Sequence, residues 1–558
     1  MGRGWTLLIH SIRGPTIRGP TMRGDMRALR SLAIAAPVLL GAQSPESQEP
    51  RPNIVFLFSD DLTTQAISAY RYGMELPPTP NIDRLAREGM LFENSFCGNS
   101  ICTPSRGTVM TGLHSHKNGI VHLGGALDPR GPSWPKALQQ NGYTTAVFGK
   151  WHMKTKPSGF DQWDVFSGQG NYYNPELFGS KGGSRRIEGH STDIVTDLAL
   201  DWLEQRDRSK PFVLMVQHKA PHRNWKPSLA DLQLYRDMEM PEPASLFDDY
   251  EGRVSAANHK MGIDGHMRMA ADLMLLRNEK DLRCLSRLTP SQKEGYLAAF
   301  QEENDAFIAD PPAGKALVRW KYQRYMKNYL RCVAGVDRNV GRVLDRLDEL
   351  KLSDKTIVVY AADQGFYLGE HGWFDKRWAY EESMRMALIV RWPGKVKAGS
   401  RSKAMVQNID YAPTLLAAAG LEPDWKVHGI SLMPLLTGGG GGVPTGWRDT
   451  LYYRYIDGGH GVPQHSAIRT NEFKLLYFDH PRNEAEEKSR WELFDLNSDP
   501  QEMKNLASDP VHAERLAALK LRFWASREFY GDTDESVWKR GKTKSYRPED
   551  YIRARRQR

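Results

Sequence analysis

An α/β fold, with a large and mostly parallel central sheet flanked by helices and a small α+β subdomain at the C-terminal end, is predicted by three features of the sequence. Apolar runs without polar alternation recur between residues 50 and 440, helical patterns separate them, and beyond the glycines at 438–442 the chain changes to short strand-like pieces. An unbroken apolar run reads as a strand buried on both faces. Such strands, alternating with helices, wind a parallel sheet covered on each side.

From the N-terminus, Arg27 and Arg30 precede the apolar run 31-SLAIAAPVLLGA-42, and polar residues follow it. A basic start, a short apolar stretch and small residues describe an export signal. Met26 is the expected initiator and Ala42 the expected last residue of the leader, 1–42, which gives a periplasmic or secreted protein. The run is too short to cross a bilayer, so no transmembrane segment is predicted.

The strand-like runs are 52-PNIVFLFSDD-61, 143-YTTAVFG-149, 211-PFVLMVQ-217, 356-TIVVYAAD-363 and 386-MALIVRW-392. Helical patterns cover Asn81–Gly89, Ser105–Gly112, Trp134–Asn141, Thr192–Glu204, Tyr322–Leu350 and Tyr411–Ala419. Within this domain, 50–440, residues 226–317 are Met-rich and charged; they are expected to form a mostly helical insertion, as in 266-HMRMAADLMLLRNEKDLRCLSRL-288. The stretch 437-TGGGGGVPTG-446 reads as a flexible linker. Four short strands and a helix over 510–528 predict a C-terminal subdomain, 447–530, ahead of a basic tail, 531–558.

The formal net charge of +9 is concentrated at the ends. Six basic side chains oppose Asp25 in residues 1–42, and nine oppose Glu549 and Asp550 in residues 539–558. The body between them is close to neutral, which argues against a nucleic-acid-binding protein. Cys97, Cys102, Cys284 and Cys332 are too few and too scattered for a disulfide framework. No motif sets an oligomeric state.

In open α/β sheets ligands bind beyond the carboxyl ends of the strands. Two of the apolar runs end there in acids, Asp60-Asp61 and Asp363-Gln364, an oxygen-only donor set suited to Ca²⁺ or Mg²⁺. Lys150 and His152 follow one strand directly, His218 and His222 follow another, and Lys376 lies in 369-GEHGWFDKR-377. Cations and histidines opposite a metal suit hydrolysis of an anionic ester: cations neutralise its oxygens and a histidine protonates the leaving group. Cys102 stands just before Pro104, at the expected start of a helix, where free N–H groups favour an anion. Its residues alone leave two readings open, a thiolate nucleophile and an inert buried thiol. The thiolate is soft, whereas its acidic and lysine surroundings suit oxygen chemistry.

Cys-Thr-Pro-Ser-Arg, followed by Gly-Thr-Val-Met-Thr-Gly, resembles the signature of the type I, formylglycine-dependent sulfatases. Asp60-Asp61, Gly149-Lys150-Trp151-His152, His218, Asp363-Gln364-Gly365 and Lys376 resemble its other landmarks in order, over about residues 50–505. The resemblance implies an alkaline-phosphatase-like sandwich and sulfate-ester hydrolysis. It implies conversion of Cys102 to Cα-formylglycine by a formylglycine-generating enzyme. The hydrate would ligate Ca²⁺ beside Asp60, Asp61, Asp363 and Gln364, and attack sulfur. Arg106 and Lys150 would stabilise that oxyanion, Lys376 would hold the sulfate, His218 would be the general acid, and His152 would take the second hydroxyl proton. Many members carry Asn or His where this chain has Gln364.

The segments 168-GQGNYYNP-175, 217-QHKAPHRNW-225 and 460-HGVPQHSAIRT-470 are similar to the bacterial N-acetylglucosamine-6-sulfatase-like branch. That likeness implies a 6-O-sulfated sugar of a glycosaminoglycan, mucin or algal polysaccharide as substrate. His222, Arg223, Arg377, Trp378, His460 and His465 are the implied substrate-binding residues. Two rivals stand beside this reading: a formylglycine-dependent phosphodiester or phosphonate hydrolase, and a sulfated-glycan-binding protein without catalysis.

Overall fold

Each of the five unbroken apolar runs becomes a strand of one ten-stranded sheet. Its order is Ser400–Ser402, Met90–Phe92, Leu388–Arg391, Thr356–Ala362, Asn53–Ser59, Phe212–Gln217, Thr144–Gly149, Gln162–Phe166, Glu176–Gly179, Ser184–Arg186. The five strands from Thr356–Ala362 to Gln162–Phe166 are mutually parallel. Antiparallel partners extend the sheet at both ends, Leu388–Arg391 on one side and Glu176–Gly179 on the other. The computed structural model describes residues 51–70, 72–440, 442–459, 461–479 and 483–532. The expected leader and nearly all of the expected basic tail lie outside the described residues. Among those described, no helix is long and apolar enough to cross a membrane.

The alternation of side chains along the central strand divides the core into two layers. Ile54, Phe56 and Phe58 pack with Val109, Trp134 and Leu415 on one face, while Val55 and Leu57 pack with Val195, Leu203 and Val336 on the other. The first face is covered by the helices Cys102–Thr111, Trp134–Gln140 and Tyr411–Ala418, the second by Ser191–Gln205 and Gly314–Glu349. With both faces covered, neither can alternate polar residues, hence the unbroken runs.

The C-terminal strands Thr450–Tyr455, His465–Thr470, Phe473–Phe478 and Trp491–Asp495 form an antiparallel sheet carrying the helix Ala513–Phe529. Leu451, Tyr453, Ala467 and Phe494 of this sheet join the same apolar cluster as Phe56. The region predicted as a subdomain therefore shares a core with the larger part.

The expectation of a mostly helical insertion is corrected. Between 226 and 317 the long α-helix is Pro290–Ala309, joined by the four-residue Val254–Ala257 and short 3₁₀ turns. Residues 266–288 contain no α-helix. Their apolar side chains Met267, Leu273, Met274 and Leu285 are buried, but the carbonyls are claimed from outside: Arg324 Nε donates to Leu273 O at 2.9 Å and Asn304 Nδ2 to Met274 O at 3.0 Å. Tertiary partners thus replace the helical ladder.

Candidate active site

Parallel pairing sets the carboxyl ends of four neighbouring strands side by side. Ser59 is level with Ala362, Phe58 with Gln217, and Gln217 with Gly149. The residues that follow, Asp60, Asp363, His218 and Lys150, therefore leave the sheet along one edge. Gly149 has φ +101°, and a Cβ there would stand 2.0 Å from Gln217 O, so glycine lets the chain turn directly into Lys150.

The helix starts earlier than predicted, spanning Cys102–Thr111, with Gly112 as its left-handed C-cap at φ 68°. Cys102 is thus its first residue and Pro104 lies in its first turn, where the missing N–H removes no helical bond. The fully buried thiol donates to Asp60 Oδ1 at 3.2 Å, and Gln364 Nε2 lies 3.7 Å from its sulfur. Burial pushes the thiol pKa up to about 12, helped by the charges of Asp363 and Asp61. Burial therefore works against a ready thiolate nucleophile.

Around the thiol, carboxylates and cations interlock. Arg106 donates from Nε to Asp363 Oδ2 at 3.1 Å and from Nη1 to Lys150 O at 2.6 Å and Gln217 Oε1 at 2.8 Å, while its Nη2 lies 3.1 Å from the same Asp363 oxygen as an ion pair without a hydrogen bond. Its guanidinium sits 4.9 Å over the Phe58 ring. Lys150 Nζ pairs with Asp60, and Lys376 Nζ with both oxygens of Asp61. Asp61 N donates to Asp363 Oδ1 at 3.1 Å, tying the two acidic strand ends together. Burial raises the Asp61 pKa to about 6; Lys376 opposes the shift and Asp363 and Asp375 add to it. Asp61, His152, Asp375 and Arg377 all have φ between 56° and 98°. Such strained backbone in four non-glycine residues clusters where a site is over-determined by its surroundings.

The donor set fits a hard divalent cation. Asp60, Asp61 and Asp363 each place an oxygen within 4.8 Å of the others. Gln364 Oε1 is buried without a hydrogen-bond partner, although Gln364 Nε2 donates to Asp61. An orphaned amide oxygen beside three carboxylates is what an oxygen-seeking ion completes.

Above Cys102 opens a cavity of about 530 Å³. Of the sequence-predicted residues, Cys102, His222, Arg223, Lys376 and Arg377 line it. His152 stands beside it, its Nδ1 3.2 Å from Thr103 Oγ1. Three expectations are corrected. His218 is 1% exposed and its Nε2 lies 3.0 Å from Thr196 Oγ1, on the helix side of the sheet. After the turn at Ala220-Pro221 it is His222 that reaches the cavity, with Nε2 3.8 Å from Asp61 Oδ2. Trp378 and His465 are fully buried and stack on each other with centroids 5.6 Å apart, and His465 Nε2 accepts from Ala379 N at 3.0 Å. They are core, not substrate-binding residues. His460 lies outside the described residues.

Sequence reasoning missed Lys219, Asp375 and Asn408. Lys219 is 5% exposed on the cavity wall, its Nζ 5.1 Å from the Tyr172 ring centre; its signal was a lysine two positions beyond a buried strand. Asp375 pairs with Arg377 at 2.7 Å. Asn408 Nδ2 donates to Ser105 Oγ at 2.9 Å, and Ser105 Oγ to Asp363 O, a link with no sequence signal.

The model of the sulfatase family matches residues 52–421, and that of the N-sulphoglucosamine sulphohydrolase C-terminal region matches residues 369–528. An N-acetylglucosamine-6-O-sulfatase of Bacteroides thetaiotaomicron is 42% identical over 519 residues, 90% of this chain and 91% of that protein. The human N-acetylglucosamine-6-sulfatase is 25% identical over 74% of this chain and 68% of its own length. A solved structure described as a complex with its substrate, D-glucosamine-2-N,6-O-disulfate, superposes with a TM-score of 0.83 at 41% identity, covering 87% of this chain and 99% of that one. The architecture is the alkaline-phosphatase-like sandwich, with the small antiparallel sheet at its C-terminal end.

Proposed function

This chain belongs to the sulfatase family, and on that premise we propose that it hydrolyses the sulfate ester of a sulfated carbohydrate, with the 6-O-sulfate of N-acetylglucosamine or a related sugar as the favoured substrate. The observation that carries this reading is the thiol of Cys102 held against Asp60 at the base of a cation-lined cavity. The 42% identity to an N-acetylglucosamine-6-O-sulfatase supports the choice of sugar.

Asp60, Asp61, Asp363 and the Gln364 amide oxygen would hold Ca²⁺, or Mg²⁺ in its place, which supplies positive charge for sulfate oxygens. Cys102, oxidised by a formylglycine-generating enzyme to Cα-formylglycine, would supply a hard oxygen nucleophile. Arg106 holds Asp363, and Lys150 holds Asp60, so both acids stay fixed. Lys376, at the cavity floor, binds the sulfate oxygens. His222 replaces His218 as the general acid. Its Nδ1 is engaged by the carbonyl of Arg223, which leaves Nε2, facing Asp61, to carry the proton given to the departing alcohol oxygen. His152, held through Thr103, takes a proton when sulfate leaves. Water and ester thus yield alcohol and sulfate. The basic start and apolar run at 27–42 support export of the enzyme.

The test is released sulfate from N-acetylglucosamine-6-sulfate, run beside an aryl phosphodiester, on protein from a host that matures the site. Mass spectrometry of the peptide containing Cys102 should show sulfur exchanged for oxygen with loss of two hydrogens. Unmodified cysteine throughout, or faster phosphodiester turnover by orders of magnitude, overturns the reading.

A further inference from the structure

The strand Thr450–Tyr455 of the C-terminal sheet touches two loops of the candidate active site. Its Tyr453 is fully buried, and the hydroxyl of that residue bridges loops far apart in sequence. Tyr453 Oη accepts from Ser100 N at 3.2 Å and donates to Arg377 O at 2.6 Å. Ser100 stands two residues before Cys102, and Arg377 one residue after Lys376. Burial pushes the phenol pKa further above its ordinary 10, so the hydroxyl keeps the proton it donates. Arg454 N, next along the strand, donates to Gly98 O at 2.9 Å. His465, whose ring stacks on Tyr453 with centroids 5.6 Å apart, accepts from Ala379 N at 3.0 Å. The sheet thus grips one loop at 98–100 and the other at 377–379.

Ser383 closes these contacts into a ring. Its Oγ accepts from Arg377 N at 2.9 Å, and its carbonyl accepts from Ser100 Oγ at 2.8 Å and from Gly365 N at 2.9 Å. Ser100, Tyr453, Arg377 and Ser383 are all buried. The backbone they hold is strained: Asp375 and Arg377, on either side of Lys376, have φ of 88° and 98°. Such conformations persist only where the surroundings over-determine them. Asp375 is fixed by strand pairing with Tyr367. Arg377 is fixed at its N–H by Ser383 and at its carbonyl by Tyr453.

We propose that Tyr453 is a positioning residue: its hydroxyl sets the spacing between the start of the Cys102 helix and the loop that carries Lys376, and so aligns the bound sulfate with the nucleophile. This rests on the sulfatase reading above and gives the C-terminal sheet a part in the same reaction. Without the hydroxyl, Ser100 N and Arg377 O lose their shared partner, and the two loops are free to shift against each other.

The test is Tyr453→Phe, which removes the hydroxyl and keeps the ring in the core. Turnover is measured on N-acetylglucosamine-6-sulfate and on an aryl sulfate, with kcat normalised to the fraction of Cys102 converted, read by mass spectrometry. On both compounds kcat should fall on the order of 100-fold. KM should stay within about threefold, the split expected when alignment is lost and binding is kept. Ser383→Ala, which frees Arg377 N, should show the same split. The double variant should fall little below the weaker single one, because both act through Arg377. Tyr143→Phe removes a hydroxyl that donates to Pro52 O at 3.1 Å, at the opposite end of the sheet; it should lower the melting temperature and leave kcat unchanged. Wild-type kcat in Tyr453→Phe and Ser383→Ala, a loss confined to KM, or fully additive losses in the double variant overturn the positioning role and leave the sulfatase reading standing. If Tyr453→Phe does not fold, the kcat and KM of Ser383→Ala decide by the same criteria. Absence of turnover of both compounds by the matured wild type overturns the reading beneath it.

Discussion

Replacing Arg106 by lysine keeps the charge and removes the fork, which isolates what the guanidinium does. In the folded chain that group donates from Nε to Asp363 at 3.1 Å, with Nη2 held beside the same oxygen by charge, and from Nη1 to Lys150 O and Gln217 Oε1. A single ammonium on a shorter reach cannot satisfy all three acceptors, and two would be left buried without a donor. Each buried acceptor so orphaned costs roughly 1–3 kcal/mol, and disrupting a buried ion pair costs about 3–5 kcal/mol. Arg106→Lys should therefore lose about 3–5 kcal/mol of stability. Asp363 is also freed to swing out of line with Asp61, and a 1 Å misplacement at a reacting centre costs on the order of 100-fold in rate. Differential scanning calorimetry with and without Ca²⁺, paired with released sulfate, reads both effects. Wild-type melting together with wild-type turnover in Arg106→Lys would refute the claim that the guanidinium holds Asp363.

Other expectations follow from the same geometry. Cys102→Ala should bind a 6-sulfated sugar by calorimetry while releasing no sulfate; retained turnover would remove Cys102 from the chemistry. His222→Ala should lower kcat by ~10²–10⁴ on sugar sulfates, the usual contribution of a general acid, and less on aryl sulfates whose leaving group needs no proton. His218→Ala loses one hydrogen bond to Thr196 and should cost stability of about 1 kcal/mol, so a larger kcat loss there than at His222 would reverse the assignment. Chelation should lower the melting temperature and Ca²⁺ should restore it. Glu492, which accepts from Tyr380 Oη at 2.8 Å, is held by burial at a pKa of about 7, above its ordinary value of 4.5. Because the folded-state pKa is raised, its stabilising effect is full below pH ~4.5 and is lost as pH rises through ~7, a change of up to about 3 kcal/mol. Glu492→Gln should abolish that slope, so the variant's melting temperature should gain on wild type between pH 5 and pH 8.

The central sheet was legible because burial on both faces leaves a parallel strand no room for polar alternation, as in 52-PNIVFLFSDD-61. Chemistry at strand ends was legible for the same reason: Asp60, Asp363 and Lys150 interrupt apolar runs at the edge where the sheet stops. The choice between His218 and His222 was not, since it depends on which way the chain turns after Gln217. A position that continues the strand faces the Ser191–Gln205 helix, and one beyond the turn faces the cavity. Trp378 and His465 misled because a loop aromatic and a core aromatic look alike until their stacking partners are known. Residues 266–288 carry helix-forming composition, yet Arg324 and Asn304, distant in sequence, take the carbonyls a helix would need.

The complete burial of Cys102 sets an order of events in time. An oxidising enzyme needs direct access to the thiol and to the peptide around it, and the finished fold offers neither, with the sulfur closed in by Asp60 and Gln364 within the first helical turn. On the proposed conversion of Cys102 to formylglycine, maturation would have to precede chain collapse, and a molecule that folds first would be locked out. Preparations made faster than they are matured should then contain two equally folded populations, one active and one inert, with specific activity tracking the modified fraction instead of the fraction folded.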